Sequence, residues 1–412
     1  MNVLEQAKLI TPDYAGNTIG NVPGTVAALL GVESPGLAPL RGPLWQPLLQ
    51  GDEVRRVVLI LVDGMGQNLV QACAEDTAWL REGADIADCI TSVFPSTTVN
   101  ALSSLWTGAG PAQHGLVGLE LLFPRLGVMG QMLSLSPSFA WLPDALVRAG
   151  VDPYSYLPVP GIAQKLQQAG IETYSLKHYS LLNSSLSKMF SRGITEEIGT
   201  VTAADLLWQV KALLERATGP RMYISGYWAA VDTLSHRHGF DHPAVAAELR
   251  SFLHLLRTEL FLKLSPAARR GTVVVLTADH GQTITPLEQR IYLEDHPQLQ
   301  RMLLMRAAGE PRTAYLYARA GEKQGIIDYI DEYLSHAAIA LGSQEALALG
   351  LFGPPPYAEE LAVRVGDVMV TMREGYSFLS KDGDEFLANF VGRHGGLTPA
   401  EMEVPFFVFR LS

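Results

Sequence analysis

The sequence predicts an α/β fold built around a largely parallel sheet. Five short, almost continuously apolar runs are bounded by turn residues, and such runs are typical of strands that are covered on both faces. Helix-like segments separate these runs, and an alternation of strands with helices favours a parallel sheet. The runs are "RRVVLILVDG" (55–64), "GIETYSL" (170–176), "RMYISGYW" (221–228), "GTVVVLTADHG" (271–281) and "VPFFVFRL" (404–411).

Helices are predicted at "TAADLLWQVKALLERA" (202–217) and "HPAVAAELRSFLHLLRTEL" (242–260). The pattern changes between residues 294 and 379, where two strand-like runs and a helix surround the Gly-Pro-rich stretch "GLFGPPPYAEE". Because the strand "VPFFVF" follows this stretch, we interpret 294–379 as a small inserted α+β cap. Residues 1–293 and 380–412 then form the catalytic core, and the first fifty or so residues wrap around it.

Composition excludes several classes of protein. The chain has 412 residues, 48% hydrophobic and 18% charged, which is enough to bury a sizeable core. Its formal net charge of -11 opposes a scaffold role on nucleic acid, because phosphate backbones are held mainly by Lys and Arg. Cys73 and Cys89 form no metal-binding CxxC pattern. We find no signal-peptide pattern and no apolar run near the roughly 18 residues of a membrane helix, so we expect a soluble, cytoplasmic protein.

Side chains able to bind metal follow the predicted strands or lie in glycine-flanked turns. They are Asp63, Asp232, His236, Asp279, His280 and His394. Residues at the carboxyl ends of strands meet in the ligand crevice of an open α/β sheet, although each residue alone is also compatible with a turn, a helix cap or a satisfied polar contact.

The charges of these side chains distinguish a metal site from a set of unrelated turns, caps and polar contacts. Three carboxylates in one crevice would repel each other and lose hydration, which two divalent cations would relieve. Mixed Asp and His ligands suit Zn²⁺, with Mn²⁺ or Fe as alternatives. A pair of metals can hold the attacking and leaving oxygens of a phosphoryl transfer.

Two adjacent hydroxyl residues, Thr97 and Thr98, precede a predicted helix in "TSVFPSTTVNALSSLWTG". One hydroxyl is enough to cap a helix N-terminus. A metal could lower the pKa of the other and make it a nucleophile. The local sequence does not decide between the two threonines.

Five motifs occur in the order expected of one superfamily. The chain contains D-G-M at Asp63, T-x(8)-T-G from Thr98, D-x-x-x-H-x-x-G from Asp232, D-H-G at Asp279 and H-G at His394. Together they resemble the alkaline phosphatase superfamily, and within it the type I phosphodiesterase/nucleotide pyrophosphatase family. The resemblance implies a three-layer α/β core with a cap. It also implies hydrolysis of phosphodiester or nucleotide pyrophosphate bonds through a phosphothreonine intermediate.

The resemblance also assigns roles to individual residues. One metal would be bound by Asp63, Thr98, Asp279 and His280. The other would be bound by Asp232, His236 and His394. Thr98 would be the nucleophile, which leaves Thr97 as a cap or spacer. His114, His238 and His242 match no ligand position, so we predict structural or pocket-lining roles for them.

The substrate-binding positions depart from the family pattern. The family shows Thr-Phe-Pro-Asn at the nucleophile, whereas this chain has Thr98-Val99-Asn100-Ala101. Asn100 therefore remains a candidate donor to a phosphate oxygen, and Tyr227 matches an aromatic position of the family. Threonine at position 98 opposes a sulfatase, which needs Cys or Ser there.

Other functions fit parts of the same pattern. A phosphomonoesterase or phosphonate hydrolase of the same superfamily is the main alternative; a phosphosugar mutase and a metal-stabilised binding module are further ones. Two divalent cations would balance three aspartates and a Thr98 alkoxide, which leaves a formally neutral site. Residues 98–124 and 222–236 contain no Lys or Arg to hold a monoester dianion. We therefore expect a small-molecule phosphate ester as substrate, and diesters rather than monoesters.

Overall fold

The structure is a computed structural model that describes residues 3–140, 142–216, 221–381 and 385–412. Within those ranges, no helix is both long and apolar enough to cross a lipid bilayer. The strands are β1 Arg56–Val62, β2 Ile86–Thr91, β3 Glu120–Phe123, β4 Val128–Gln131, β5 Ser136–Pro137, β6 Glu172–His178, β7 Glu196–Thr200, β8 Met222–Trp228, β9 Thr272–Thr277, β10 Thr283–Ile284, β11 Arg290–Tyr292, β12 Ala308–Glu310, β13 Thr313–Leu316, β14 Ala338–Gly342, β15 Val368–Met372, β16 Ser377–Leu379, β17 Gly392–Arg393 and β18 Glu403–Leu411.

The helices lie mainly between these strands. They are α1 Val3–Gln6, α2 Val22–Leu29, α3 Gln67–Ala72, α4 Ala74–Gly83, α5 Thr98–Thr107, α6 Pro111–His114, α7 Ala145–Arg148, α8 Ile162–Gln168, α9 Ser185–Phe190, α10 Ala203–Leu214, α11 Ala230–His238, α12 Pro243–Leu255, α13 Pro266–Arg269, α14 Pro297–Met302, α15 Lys323–Tyr329, α16 Ser343–Ala348, α17 Leu361–Arg364, α18 Glu385–Ala388 and α19 Pro399–Met402. The predicted helices at 202–217 and 242–260 correspond to α10 and α12. Helix α12 continues as a π-helical turn over Leu256–Leu260, and residue 217 lies outside the described residues.

The central sheet has the strand order β2-β18-β9-β1-β8-β6-β7. Strands β9, β1, β8, β6 and β7 run parallel to one another. Strand β18 is antiparallel to both of its neighbours. Each of the five predicted runs forms a strand of this sheet, but the last run is the antiparallel one. Strands β1 and β9 are buried at every position, which requires cover on both faces and explains their unbroken apolar sequences.

A second, mainly antiparallel sheet has the order β14-β15-β13-β12-β3-β4-β5. The segment 294–379 supplies β12 to β15. Strands β3 to β5 come from residues 120–137, far earlier in the chain, and join through the pairing of Gly309 with Glu120. The second sheet therefore extends beyond the predicted insertion.

Helix α5 connects the cores of the two sheets. Its Ala101 and Leu105 belong to the apolar cluster around the central sheet. Its Val99 belongs to the cluster that packs against the second sheet. Helix α5 ends at Gly108, whose left-handed φ of 67° lets its N–H bond the Ser104 carbonyl at 2.8 Å. Packing on both sides holds the N-terminus of α5 rigidly between the sheets.

Candidate active site

The carboxyl edge of the central sheet brings the predicted ligands together. Asp63 follows β1, while Asp279 and His280 follow β9. Gly64 makes the turn after β1 with a φ of 72°, and its N–H donates to Asp279 Oδ1 at 3.2 Å. A Cβ on Gly64 would lie 3.0 Å from the Cα and Cβ of Asp232, so glycine permits this close approach.

Asp63, Asp279 and His280 form the first group of side chains. His280 Nε2 lies 3.4 Å from Asp63 Oδ1 and 3.4 Å from Asp279 Oδ2. Thr98 Oγ1 lies 3.0 Å from the same Nε2. The two aspartates and His280 are at most 2% exposed. These are the residues that the resemblance assigns to one metal.

Asp232, His236 and His394 form the second group. On α11, the Asp232 carboxylate and the His236 imidazole face the same point, with His236 Nε2 3.4 Å from Asp232 Oδ2. His394 Nε2 lies 3.7 Å from Asp232 Oδ1. The rings of His280 and His394 stack with their centroids 3.6 Å apart, so the two groups are neighbours.

The hydrogen bonds of the three histidines define their tautomers. Nδ1 contacts a backbone carbonyl oxygen in each ring: Gly281 at 3.1 Å for His280, Gly392 at 2.8 Å for His236 and Ser96 at 3.0 Å for His394. A carbonyl oxygen only accepts, so Nδ1 carries the hydrogen and Nε2 of the neutral ring presents a lone pair. This arrangement is typical of metal-binding histidines.

The carboxylates of the first group lack the partners that buried charges need. Asp63 Oδ1 and Asp279 Oδ2 are buried without a hydrogen-bond partner. Burial, together with the nearby Asp279 and Asp232 carboxylates, raises the pKa of Asp63 well above its ordinary value. Burial likewise raises the pKa of Asp279 and lowers the pKa of His394. Each group of three offers ligand atoms that all lie within 4.8 Å of one another. The side chains therefore fit two cations, which would satisfy the orphaned oxygens and the lone pairs together.

Helix α5 places the two threonines differently. Thr98 is its first residue and contacts the first group. Thr97 occupies the N-cap position, but its side chain makes no capping hydrogen bond. The Thr97 side chain instead bonds the carboxyl group of Glu310, whose pKa burial raises to about 8. Of the two predicted roles, cap or spacer, Thr97 holds the N-cap position, but its side chain contacts the second sheet and does not cap the helix.

Tyr227 and Asn100, the predicted substrate contacts, lie in different surroundings. The Tyr227 hydroxyl donates to Asp63 Oδ2, so this side chain orients a predicted ligand. Asn100 is fully buried, and its Nδ2 donates to the Pro95 carbonyl at 2.6 Å. Asn100 thus supports the turn before α5, and its contact with substrate stays a prediction.

Contacts of the other histidines support structural roles. His114 is buried and bonds Ser104 Oγ through Nε2 at 3.0 Å. His242 Nδ1 accepts the Ala244 N–H at 3.1 Å and caps α12. The exposed His238 stacks on His242 at a centroid distance of 4.6 Å.

A cavity of about 780 Å³ opens at the two groups. Its wall includes Thr98, Tyr227, Asp232, His236 and His394. The second sheet and its flanking loops supply further wall residues that the sequence analysis missed, among them Glu120, Glu310 and Phe139. No motif identifies these three residues, because they come from separate segments that only the second sheet brings together. Arg393 of β17, directly before His394, also lines the cavity and was missed.

Gln282 also escaped the sequence analysis. Its Nε2 donates to Asp232 Oδ1 and, at 3.3 Å, to the Asp232 carbonyl. Its position three residues after Asp279 in "DHGQ" is the signal that was available.

Comparisons with solved structures show the fold. Murine ectonucleotide pyrophosphatase/phosphodiesterase 5 is 17% identical, with a TM-score of 0.62 over 86% of this chain and 87% of the murine chain. The same murine protein in complex with AMP is 18% identical, with a TM-score of 0.62 over 86% and 88%. Phosphonoacetate hydrolase from Sinorhizobium meliloti 1021, in complex with phosphonoformate, is 20% identical, with a TM-score of 0.63 over 88% and 92%. These likenesses are consistent with an alkaline-phosphatase-like core.

The family assignment rests on the sequence match. No curated protein matches the chain. The profile of the type I phosphodiesterase/nucleotide pyrophosphatase family matches residues 57–397. That range contains every predicted metal ligand and Thr98. The chain belongs to the type I phosphodiesterase/nucleotide pyrophosphatase family, within the alkaline phosphatase superfamily.

Proposed function

We propose that this protein is a two-metal phosphohydrolase that cleaves phosphodiester or nucleotide pyrophosphate bonds through a phosphothreonine intermediate. The observation that carries the proposal is the position of Thr98. Its hydroxyl lies at the N-terminus of α5, 3.0 Å from His280 Nε2, and on the wall of the cavity that both ligand groups share.

Asp63, Asp279 and His280 would hold one cation beside Thr98, and Asp232, His236 and His394 would hold the other. Bound divalent cations would supply Lewis-acid stabilisation of negative charge on the attacking and leaving oxygens. Zn²⁺ suits the mixed oxygen and nitrogen donors, and Mn²⁺ and Fe are alternatives.

Thr98 gives its hydroxyl proton to solvent, and its Oγ1 attacks phosphorus, forming the Oγ1–P bond while the bond from phosphorus to the leaving oxygen breaks. The leaving oxygen takes its proton from water. Water then breaks the Oγ1–P bond and restores the threonine, releasing the phosphorylated product. The first N–H groups of α5 and its positive dipole end would stabilise negative charge on a phosphoryl group held at Thr98.

The charges around the cavity favour a diester over a monoester. Arg393 is the one guanidinium or ammonium group among the described wall residues, and it is already engaged. Its Nε donates to Thr285 Oγ1 at 3.0 Å and its Nη2 to the Leu387 carbonyl at 2.5 Å. Arg125 is exposed and faces Glu359 and Glu360 at 3.9 and 3.7 Å. A monoester dianion would therefore find no cationic clamp here.

Phosphonate hydrolysis is the second candidate, because a phosphonoacetate hydrolase shares this fold. Two carboxyl side chains, Glu120 and Glu310, stand in the cavity wall. Arg306 Nη2 pairs with Glu120 at 3.0 Å, and the raised pKa of Glu310 favours its neutral form, so these two groups do not disfavour a substrate carboxylate and the assay decides between the two candidates.

The test compares kcat/KM for 4-nitrophenyl phosphate with that for methyl 4-nitrophenyl phosphate, at one pH and with the metal-loaded protein. Thymidine 5′-(4-nitrophenyl phosphate) probes nucleotide esters, and phosphate release from phosphonoacetate probes the second candidate. We expect both diesters to exceed the monoester. A monoester advantage of tenfold or more, about 1.4 kcal/mol in transition-state stabilisation, would overturn the diesterase proposal.

A further inference from the structure

Glu310, the last residue of β12, brings an acid from the second sheet into the wall of the active-site cavity. Its carboxyl group bonds the side chain of Thr97, the residue before the proposed nucleophile. Its Oε1 is buried without a hydrogen-bond partner. The protein therefore leaves part of the hydrogen-bonding capacity of this carboxyl group unused.

A glycine beside the second ligand group makes room for the Glu310 carboxyl. Gly395 directly follows His394 and has a φ of 116°. A Cβ at this position would collide with Glu310 Oε2, so glycine lets the carboxyl group lie against the backbone next to His394. The position of the acid is thus fixed from Thr97 on one side and from the His394 loop on the other.

The guanidinium groups near Glu310 are engaged by other carboxylates. Arg312 donates to both carboxylate oxygens of Glu401 at 2.8 and 2.7 Å. Arg306 Nη2 pairs with Glu120 at 3.0 Å. A carboxyl group that is buried without a cation of its own favours the protonated form.

The ionisable groups around Glu310 are consistent with a bound proton. Burial raises the pKa of Glu310 to about 8, and the Glu401 carboxylate acts in the same direction, whereas the bond from Thr97 and the charge of Arg312 oppose them. Tyr315 of β13 lies near Glu310 and stays neutral, because burial raises the pKa of its hydroxyl well above the ordinary value. At pH 7 the Glu310 side chain can therefore donate a proton.

Glu310 lies on the side of the second ligand group. Thr98 contacts His280 of the first group, whereas Glu310 packs against Gly395, next to His394 of the second. In an in-line displacement the leaving oxygen departs from phosphorus on the side opposite the nucleophile. A phosphoryl group held at Thr98 would therefore direct its leaving oxygen into the cavity that Glu310 and His394 line.

We propose that Glu310 is a further catalytic residue, the general acid that protonates a basic leaving oxygen. The inference rests on the proposed phosphohydrolase function and deepens it. While Thr98 Oγ1 bonds phosphorus and the bond to the leaving oxygen breaks, that oxygen takes the carboxyl proton of Glu310 and departs as an alcohol. Water then attacks phosphorus and returns a proton to the Glu310 carboxylate, the Oγ1–P bond breaks, and Thr98 regains its proton from solvent.

The benefit of this proton depends on the leaving group. 4-Nitrophenolate is a stable anion that takes its proton from water after it departs. Phenolate and alkoxides are far more basic, so they gain most from a proton delivered as the bond breaks, and general acid catalysis contributes about 10²–10⁴-fold. Glu310 would thus extend the substrates from activated aryl esters to diesters whose leaving group is an alcohol.

The experiment compares methyl 4-nitrophenyl phosphate with methyl phenyl phosphate, which share the retained methyl arm, in the full-length, metal-loaded protein. Glu310→Gln keeps the shape of the side chain but carries no acidic proton. It should lower kcat/KM for the phenyl ester by about 100-fold or more and for the nitrophenyl ester by less than about threefold. Glu345→Gln makes the same change at an exposed residue of α16 and should alter neither ester.

Further measurements do not depend on the ratio of the two esters. Retained nitrophenyl ester hydrolysis and unchanged metal content show that Glu310→Gln is folded. Infrared difference spectra between the wild type and this variant at pH 7 should contain the carbonyl stretch of a protonated carboxyl group in the wild type alone. If the variant does not fold, the wild type is assayed in H₂O and D₂O, where only the phenyl ester should react clearly more slowly in D₂O.

Equal losses for the two esters in folded Glu310→Gln would overturn this inference and leave the proposed function intact. A missing protonated-carboxyl band, or equal D₂O effects on the two esters, would overturn it as well. Failure of the metal-loaded wild type to hydrolyse either diester would instead overturn the proposed function, and the inference with it.

Discussion

The Nε2 atoms of His236 and His394 lie 3.2 Å apart, and each ring donates its Nδ1 hydrogen to a backbone carbonyl. Two neutral imidazoles in this state direct lone pairs at each other, and neither can donate across the gap. These two imidazoles would both donate their lone pairs to a cation held at this group, which would relieve the repulsion. Asp232 approaches the same point from α11.

The first prediction therefore concerns metal content. We expect two divalent metal ions per purified chain by elemental analysis, with chelation abolishing activity and lowering the Tm, because the metals bind only the folded state. His394→Ala should lose one of the two ions and retain the other at the Asp63 group. Active protein without bound metal would contradict the two-metal proposal.

The second prediction separates the adjacent threonines. Thr98→Ala should lose nearly all turnover and keep most of its metal, because the six Asp and His side chains remain. Thr97→Ala removes only a hydrogen bond to Glu310, so it should cost about 0.5–1.5 kcal/mol of stability and much less turnover. Turnover and urea unfolding of both variants test this. A larger loss of turnover at Thr97 would show that the nucleophile is assigned to the wrong hydroxyl.

The third prediction concerns Tyr227, whose hydroxyl donates to Asp63 Oδ2. Tyr227→Phe keeps the ring but frees the carboxylate, so Zn²⁺ affinity should fall about 10–100-fold in a competition with a chromogenic chelator. Tyr223→Phe is the matched control, since Tyr223 lies on the same strand and bonds Ser225 instead. Equal affinities in the two variants would show that the hydroxyl of Tyr227 does not orient Asp63.

The fourth prediction concerns acid stability. Burial lowers the pKa of His114 from 6.5 to about 3. The unfolded chain binds a proton at this residue below pH 6.5 and the native chain does not, so stability is lost as the pH falls from 6.5 towards 3, by up to about 1.4 kcal/mol per pH unit. His114→Gln should flatten this dependence by about that amount. Urea unfolding of metal-free protein between pH 6.5 and 5 measures the difference, and identical slopes in both proteins would contradict the prediction.

The fifth prediction concerns a buried ion pair behind the loop of His394. Arg312 Nε and Nη2 donate to the two carboxylate oxygens of Glu401 at 2.8 and 2.7 Å, and both side chains are fully buried. Glu401 also accepts the Gly396 N–H at 2.9 Å and the Thr398 hydroxyl at 2.6 Å. Arg312→Met should reduce the free energy of unfolding by about 3–5 kcal/mol, because it leaves the buried Glu401 carboxylate without its charged partner.

Lys263→Met is the control for this variant, since Lys263 pairs with Glu259 at the surface. It should change the free energy of unfolding far less than Arg312→Met does. Equal losses in urea unfolding would mean that the buried pair contributes no more than an exposed one.

The sequence by itself determined the central sheet and the groups at its carboxyl edge. Strands such as β1 and β9 are buried on both faces, so they require unbroken apolar runs that are recognisable without a structure. Asp63 and Asp279 follow these runs directly, and spacings such as Asp232 to His236 place side chains on one helical face. Local geometry that depends on a few adjacent residues can be predicted from the sequence alone.

Only the tertiary structure decided the shape of the substrate site. Strands β3 to β5 join β12 across nearly two hundred positions of the sequence, and their short, partly polar sequences resemble loops. The sequence could not show that the Thr97 side chain bonds Glu310 rather than capping α5, or that the Tyr227 hydroxyl bonds Asp63. Contacts between distant segments depend on how the two sheets pack, and this packing is a property of the whole chain that no local pattern records.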